Sequence, residues 1–320
     1  MAATLDLLEF HPPSPALLTG KDDQPTTSSV LSSAIAFLQP VKPAPFNAIR
    51  RLFDHLRAHP SSADALNDIY PTRGIFKIAA IENATSDQKL TIDLSPTRAG
   101  LIPSELRSSL AAHGLDDILS FFSTIAATHV PTILSGLSEI ASADLTSLHK
   151  AQNFNFRLCD YTPATAAPGS TNGCGAHTDY GTLAIIFQDG QPGLEAQNQT
   201  GGWTPVPGDA TIVLCGWCAL ILSGGRVHAV RHRVRRLPGV RRLSAVLFVA
   251  PDLDVVLKPL KVDETSMEFS EKIMTGQVNV GWFKDVMGKR WRWREGNEVL
   301  EDGESDEISQ DEDIDRLVWG

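Results

Sequence analysis

From about residue 152 to residue 250 the chain is a succession of short apolar runs, FNFRLCDY, GTLAIIFQD, ATIVLCGW, RVHAVRHRV and RRLSAVLFVAP, each cut off by glycine, proline, asparagine or aspartate. Runs this short, recurring at regular spacing between turn residues, predict an antiparallel sandwich or barrel. The flanks are patterned differently. Ile49, Leu52, Phe53 and Leu56 fall on one face of a helix ended by Pro60, and LDDILSFFSTIAATHVPTILSGLSEI at 115–140 carries a second helical pattern, with Pro131 the expected break or kink. Helical patterning returns around 264–288. The expected fold is a mainly β core with α flanks. An extended and helical N-terminal region over 1–150 packs on a β core over 151–260, followed by a helical lid over 261–294 and an acidic tail over 295–320. Residues 1–45, punctuated by proline, serine and threonine, read as extended wrapping or partly disordered chain.

The formal charge of -10 belongs to that tail. Residues 295–320 hold eleven of the 38 acids and one of the 28 bases, leaving 27 of each in residues 1–294. The body is therefore neutral, and the tail reads as a solvated end rather than an acidic binding surface. The longest strongly apolar run, ATIVLCGWCALIL at 210–222, falls short of the roughly 20 residues of a membrane helix. The start MAATLDLLEFHPPSPALL lacks a basic, apolar leader, so a cytoplasmic protein without a membrane span is expected.

Four cysteines supply no disulfide framework. Cys215 and Cys218 form a C-x-x-C, but within TIVLCGWCALIL they read as structural cysteines on a buried strand. His55 and His59 stand at the spacing of a helical metal pair, yet no glutamate lies between them and no third ligand is evident, so they read as surface or boundary histidines.

In GAHTDYGTL, His177 and Asp179 are two apart, so on an extended chain both side chains leave the same face and can grip one ion. A second histidine from a later strand would complete the two-histidine, one-carboxylate arrangement of non-haem Fe(II) oxygenases, which leaves the metal's other positions open. His232 is the candidate and His228 its rival. Ten residues beyond His232, Arg242 and Ser244 share one strand face, where a guanidinium and a hydroxyl can hold a carboxylate.

The order HTDYGTLAIIFQD, GLEAQ, GGWTPVP, LSGGRVHAVRHRV and RRLSAVLFVAP resembles the core of the iron- and 2-oxoglutarate-dependent dioxygenases of the isopenicillin N synthase-like type. The likeness covers residues 152–255 and implies a double-stranded β-helix, a cupin-like jelly roll. It implies Fe(II) held by His177, Asp179 and His232, with 2-oxoglutarate and O2 as cosubstrates. Arg242 and Ser244 match the pair that binds the far carboxylate of 2-oxoglutarate, and His228 receives no metal role. Asp160-Tyr161-Thr162-Pro163 replaces the usual N-Y-Y-P, putting Thr162 where a tyrosine helps hold the cosubstrate. Gly216-Trp217 replaces the usual G-D. The implied activity is oxidation of a C–H bond of a small molecule, a secondary metabolite by family analogy, by hydroxylation, desaturation or rearrangement, with succinate and CO2 as coproducts.

Three alternatives remain. An iron- and O2-dependent oxidase of the same fold would use Arg242 and Ser244 to hold the substrate's own carboxylate. A nucleic-acid arm would use the seven arginines of residues 224–242, against a body of zero net charge. A zinc protein would use His228 and His232. The aromatic and basic stretch VNVGWFKDVMGKRWRWREG at 278–296 reads either as a lid for an apolar, acidic small molecule or as a helix packing Trp282 and Phe283 on the barrel. The oligomeric state is left open.

Overall fold

Alternation along the last strand of the β region shows how the sequence builds the core. In the computed structural model, which describes residues 35–69, 76–78, 87–198, 200–265, 267–294 and 310–320, Arg242–Ala250 is a strand buried on both faces. Leu243, Ala245, Leu247 and Val249 point to one core cluster, while Val246 points to another, on the side shared by Arg242 and Ser244. The first cluster lies under the helices and the second lies inside the β core.

The strands are β1 (Ile35–Phe37), β2 (Phe76–Ile78), β3 (Leu90–Leu94), β4 (Asn153–Tyr161), β5 (Asn172–Thr178), β6 (Leu183–Gln188), β7 (Leu194–Gln197), β8 (Trp203–Pro205), β9 (Ile212–Cys215), β10 (Arg231–Arg235) and β11 (Arg242–Ala250). They form two antiparallel sheets, a seven-stranded one ordered β1-β9-β6-β11-β4-β3-β2 and a four-stranded one ordered β5-β10-β7-β8. Side chains from both sheets meet in the interior cluster, Tyr161, Ile186 and Val246 from one and Cys174, Ala196 and Val234 from the other. This is the sandwich geometry of a jelly roll.

Helices α1 (Phe46–Ala58), α2 (Pro60–Asp68), α3 (Pro96–Gly100), α4 (Ser104–Ala111) and α5 (Leu115–Ala141) come from the N-terminal half, and α1 and α5 contribute most of the helical cluster that covers the outer face of the larger sheet. Phe122 of α5 stacks on Phe156 of β4 at 4.5 Å and Phe121 meets Phe187 of β6 edge-on at 4.9 Å. The helix runs on through Pro131 without a break. By length and composition α5 would cross a membrane, but Ile118, Phe121, Phe122 and Ile125 are fully buried against the sheet. After the strands come α7 (Glu271–Met274), α8 (Val280–Arg294) and α9 (Gln310–Trp319), with α6 (Trp217–Leu222) inserted after β9.

Two expectations are corrected. Residues 210–222 are not one strand: β9 ends at Cys215, and the Trp217 amide turns back to donate to the Asp179 carbonyl at 2.9 Å, starting α6. Cys215 and Cys218 are nevertheless buried free thiols, and burial pushes the first up to about 12 and raises the second further. The acidic end is not solvated throughout, because α9 docks through Ile314 and Val318, Trp319 stacks on Phe269 at 5.2 Å, and Ser270 donates its hydroxyl to the Leu317 carbonyl. Residues 1–34 and 295–309 lie outside the described residues.

Candidate active site

His177, the penultimate residue of β5, pairs in register with His232 on β10, so the two rings project side by side with centroids 4.3 Å apart. Asp179 follows just beyond the strand, its Oδ1 3.5 Å from His177 Nε2. One ligand atom from each of His177, Asp179 and His232 lies within 4.8 Å of the others, the one such group of three among the described residues. His228 is not part of it.

The local hydrogen bonds orient this trio. His177 Nδ1 faces the Gly175 carbonyl at 2.9 Å and His232 Nδ1 faces the Val230 carbonyl at 3.2 Å. A carbonyl only accepts, so Nδ1 carries the proton in both rings and Nε2 keeps the lone pair a metal needs. Burial works to raise the Asp179 carboxyl, but the His232 and His177 rings and the Arg157 guanidinium outweigh it and hold the group below its ordinary range. Its Oδ2 is buried without a hydrogen-bond partner. Two nitrogens, one carboxylate and an orphaned carboxylate oxygen fit a divalent first-row metal bound on one face.

Arg242 and Ser244 sit on the interior face of the larger sheet, both buried. Arg242 donates from Nη2 to Gln188 Oε1 at 2.9 Å and lies 5.2 Å above the Tyr161 ring, while its Nε and Nη1 are buried without partners. A buried guanidinium with two open donors is a ready carboxylate site. Gly193, at φ +141°, keeps room for it, since a Cβ there would stand 3.4 Å from Arg242 Cδ and 2.5 Å from the Arg235 carbonyl oxygen.

Tyr161 and the buried Thr162 are placed differently relative to Arg242. Tyr161 is the register partner of Arg242 and shares its face, whereas Thr162 lies past the strand end, its carbonyl accepting from Arg236 at 2.6 Å. Sequence reasoning also left Gln188 and Lys89 unassigned. The Lys89 ammonium is buried beside this face, donating to Asp87 Oδ2 at 2.9 Å and Cys174 Sγ at 3.1 Å; burial works to lower it, and Asp87 chiefly outweighs that and keeps it charged. Alternation from Cys159 to Tyr161 was the available signal for the tyrosine, once β4 was placed beside β11.

Most of the remaining arginines are engaged within the protein. Arg231 and Arg233 lie over the Trp203 ring and Arg233 pairs with Glu195 at 2.6 Å, while Arg241 grips Asp160 and Asp54 and Arg236 binds the carbonyls of Gln88 and Thr162. Arg235 alone of the β10 arginines is exposed. His55 stacks with both His59 and His113, away from the candidate site.

A cavity of about 430 Å³ opens onto His177 and Asp179, walled by β3, β4 and the Lys284, Met287 and Gly288 side of α8. Phe283 of the same helix is fully buried and Trp282 is half exposed, so α8 both packs on the barrel and faces the cavity.

Residues 150–251 match the model of the 2OG-Fe(II) oxygenase superfamily. Over 103 residues, 32% of this chain and 29% of the relative, the sequence is 34% identical to scopoletin 8-hydroxylase of Arabidopsis thaliana. Over 110 residues, 32% of this chain and 33% of the relative, it is 38% identical to the 2-oxoglutarate-dependent dioxygenase citB of Monascus ruber. The match thus spans about a third of the length of these relatives. In fold the chain is similar to a full-length Neurospora crassa protein solved in complex with alpha-KG, with a TM-score of 0.60 at 16% identity over 80% of this chain and 87% of that one. The match to the 2OG-Fe(II) oxygenase superfamily thus lies over the β core, the part of the chain that carries the grouped His177, Asp179 and His232.

Proposed function

We propose that the protein is an Fe(II)- and 2-oxoglutarate-dependent dioxygenase of the isopenicillin N synthase-like type that oxidises a C–H bond of a small molecule, with succinate and CO2 as coproducts. The observation that carries this reading is the pairing of two incomplete sites on one interior. His177, Asp179 and His232 present a metal-binding face, and Arg242 presents two unpartnered buried donors to an anion.

The iron centre supplies, when bound, activation of O2 coupled to decarboxylation of 2-oxoglutarate. The protein's own residues set everything around it. His177 and His232 offer Nε2 because their Nδ1 protons are committed to backbone carbonyls. Asp179 adds the one negative charge among the ligands. Arg242 and Ser244 anchor the far carboxylate of 2-oxoglutarate, with Gln188 fixing the guanidinium and Tyr161 supporting it from below. The cavity beside His177 and Asp179 orients the substrate and limits water around it. A relative named for hydroxylating scopoletin supports a small, secondary-metabolite type of substrate.

O2-dependent succinate formation from 2-oxoglutarate with Fe(II) tests the proposal. Succinate that disappears in Arg242→Met supports it. O2 consumption with Fe(II) and substrate but no succinate would replace it with the oxidase reading, in which Arg242 and Ser244 hold the substrate's own carboxylate.

A further inference from the structure

Gly175 carries the carbonyl that orients His177, yet it lies where the strand ladder is irregular. His177 pairs with His232 and Cys174 with Val234, three residues along β5 against two along β10, so the register slips by one residue across Gly175 and Ala176. A bulge of this kind re-aims side chains and disrupts the local ladder hydrogen bonds. Glycine is also the residue least constrained in its backbone, and it has no side chain to pack.

The buried carboxylate of Asp87, three residues before β3, fixes this position from outside the ladder. Its Oδ1 accepts the Gly175 amide at 2.8 Å, and the Gly175 carbonyl accepts the His177 Nδ1 proton at 2.9 Å. The Lys89 ammonium takes Oδ2 at 2.9 Å and balances the buried charge. His177 is therefore two hydrogen bonds from Asp87, with only the Gly175 backbone between them.

The other histidine leans on the same device made from main chain alone. His232 Nδ1 faces the carbonyl of Val230, again two residues back, and the Val230 amide donates to the Cys215 carbonyl of β9 at 3.1 Å. A side-chain substitution cannot remove that carbonyl. On the His177 side the corresponding tie is one carboxylate, which a substitution does remove. The neighbouring Gln88 is equally buried but serves other segments, its Oε1 accepting the Ala167 amide at 2.8 Å and its carbonyl accepting from Arg236 at 2.6 Å.

Resting on the oxygenase reading, we propose that Asp87 is a positioning residue for the metal. It holds Gly175, and through the Gly175 carbonyl it sets the tautomer and aim of His177. Partners of this kind behind a ligating histidine are worth about 10- to 100-fold in metal affinity.

Competition between the full chain and a chelator for Co(II), read from the visible bands of the bound ion, tests this on two variants of equal charge. Asp87→Leu with Lys89→Met replaces the buried ion pair by two apolar residues, so no buried charge is left unpaired, but it takes the acceptor from the Gly175 amide. Asp87→Asn with Lys89→Met keeps an acceptor there. The first should bind Co(II) about 10- to 100-fold more weakly than the wild type, with altered bands, and the second within about threefold. Gln88→Ala, which unties Ala167 in the same buried segment, should also stay within about threefold. Equal Co(II) affinity in the two double variants, or a loss in Gln88→Ala as large as that in Asp87→Leu with Lys89→Met, would overturn the proposal and leave the segment as scaffold. Failure of the wild type to bind Co(II) is read first and would overturn the oxygenase reading instead.

Discussion

Replacing Arg242 by methionine separates a ligand anchor from a structural arginine. The guanidinium is buried, makes one side-chain hydrogen bond, to Gln188, and leaves Nε and Nη1 without partners. If both open donors bind a carboxylate, each charge-assisted bond is worth about 1.5–3 kcal/mol, and two are worth about 3–6 kcal/mol. At about 1.4 kcal/mol per tenfold, Arg242→Met should weaken 2-oxoglutarate by roughly 10² to 10⁴. The ligand-free protein should respond in the opposite sense. Methionine removes a buried charge whose compensation comes from Gln188 and the Tyr161 ring, so stability without ligand should hold or rise by about 1–3 kcal/mol. Anaerobic calorimetry gives the affinity and urea unfolding of the ligand-free protein gives the stability. Unchanged 2-oxoglutarate affinity would refute the anchor. A loss of about 3–5 kcal/mol in the ligand-free protein would show instead that Arg242 is a tie within the fold.

Other substitutions probe the frame around the site. A Cβ on Gly216 would collide with the carbonyl oxygens of Asp179 and Gly181, so Gly216→Ala should displace Asp179 and weaken Fe(II) about 10- to 100-fold in a metal-competition assay; intact affinity would mean that the α6 junction does not position the carboxylate. Phe122→Ala empties a fully buried position stacked on Phe156 and should cost about 3–5 kcal/mol by denaturant unfolding, whereas a cost below about 1 kcal/mol would place α5 outside the core. Burial holds His129 and His149 below their ordinary value of 6.5, in His149 outweighing its hydrogen bond to the Leu145 carbonyl and the nearby Asp252. The unfolded chain then binds protons the native protein refuses, so stability is full above 6.5 and falls as pH drops from there toward the lower native values. Urea midpoints at about pH 7.5 and about pH 5.5 should show this fall, and His149→Gln should reduce it; a fall as steep in the variant would assign the proton uptake elsewhere.

What was legible in the sequence was local in sequence. His177 and Asp179 are two residues apart, as are Arg242 and Ser244, so strand alternation alone puts each pair on one face. His232 could be weighed against His228 only by resemblance, and its place is set by the pairing of β10 with β5. Tyr161, Gln188 and Lys89 needed knowledge of sheet order. They come from three segments and meet Arg242 or one another only because β4 and β6 flank β11 and β3 flanks β4. Tyr161 and Thr162 are neighbours in sequence, and one residue reverses the face of a strand, so which of them faces Arg242 depends on where β4 ends. The end of β9 and the docking of α9 were hidden for a different reason. Each depends on a distant partner, the Asp179 carbonyl in one case and Phe269 with Ser270 in the other, which no periodicity records. The arginine-rich stretch shows the same limit, since Glu195, Asp160, Asp54 and Gln88 are distant in sequence from the side chains they hold.

The central claim is that His177, Asp179 and His232 hold iron which 2-oxoglutarate then chelates. Anaerobic addition of Fe(II) and 2-oxoglutarate, followed by visible absorption, tests it most directly. A weak charge-transfer band is expected in the wild type and in His228→Ala, and none in His232→Ala. A band that survives in His232→Ala and vanishes in His228→Ala would contradict it.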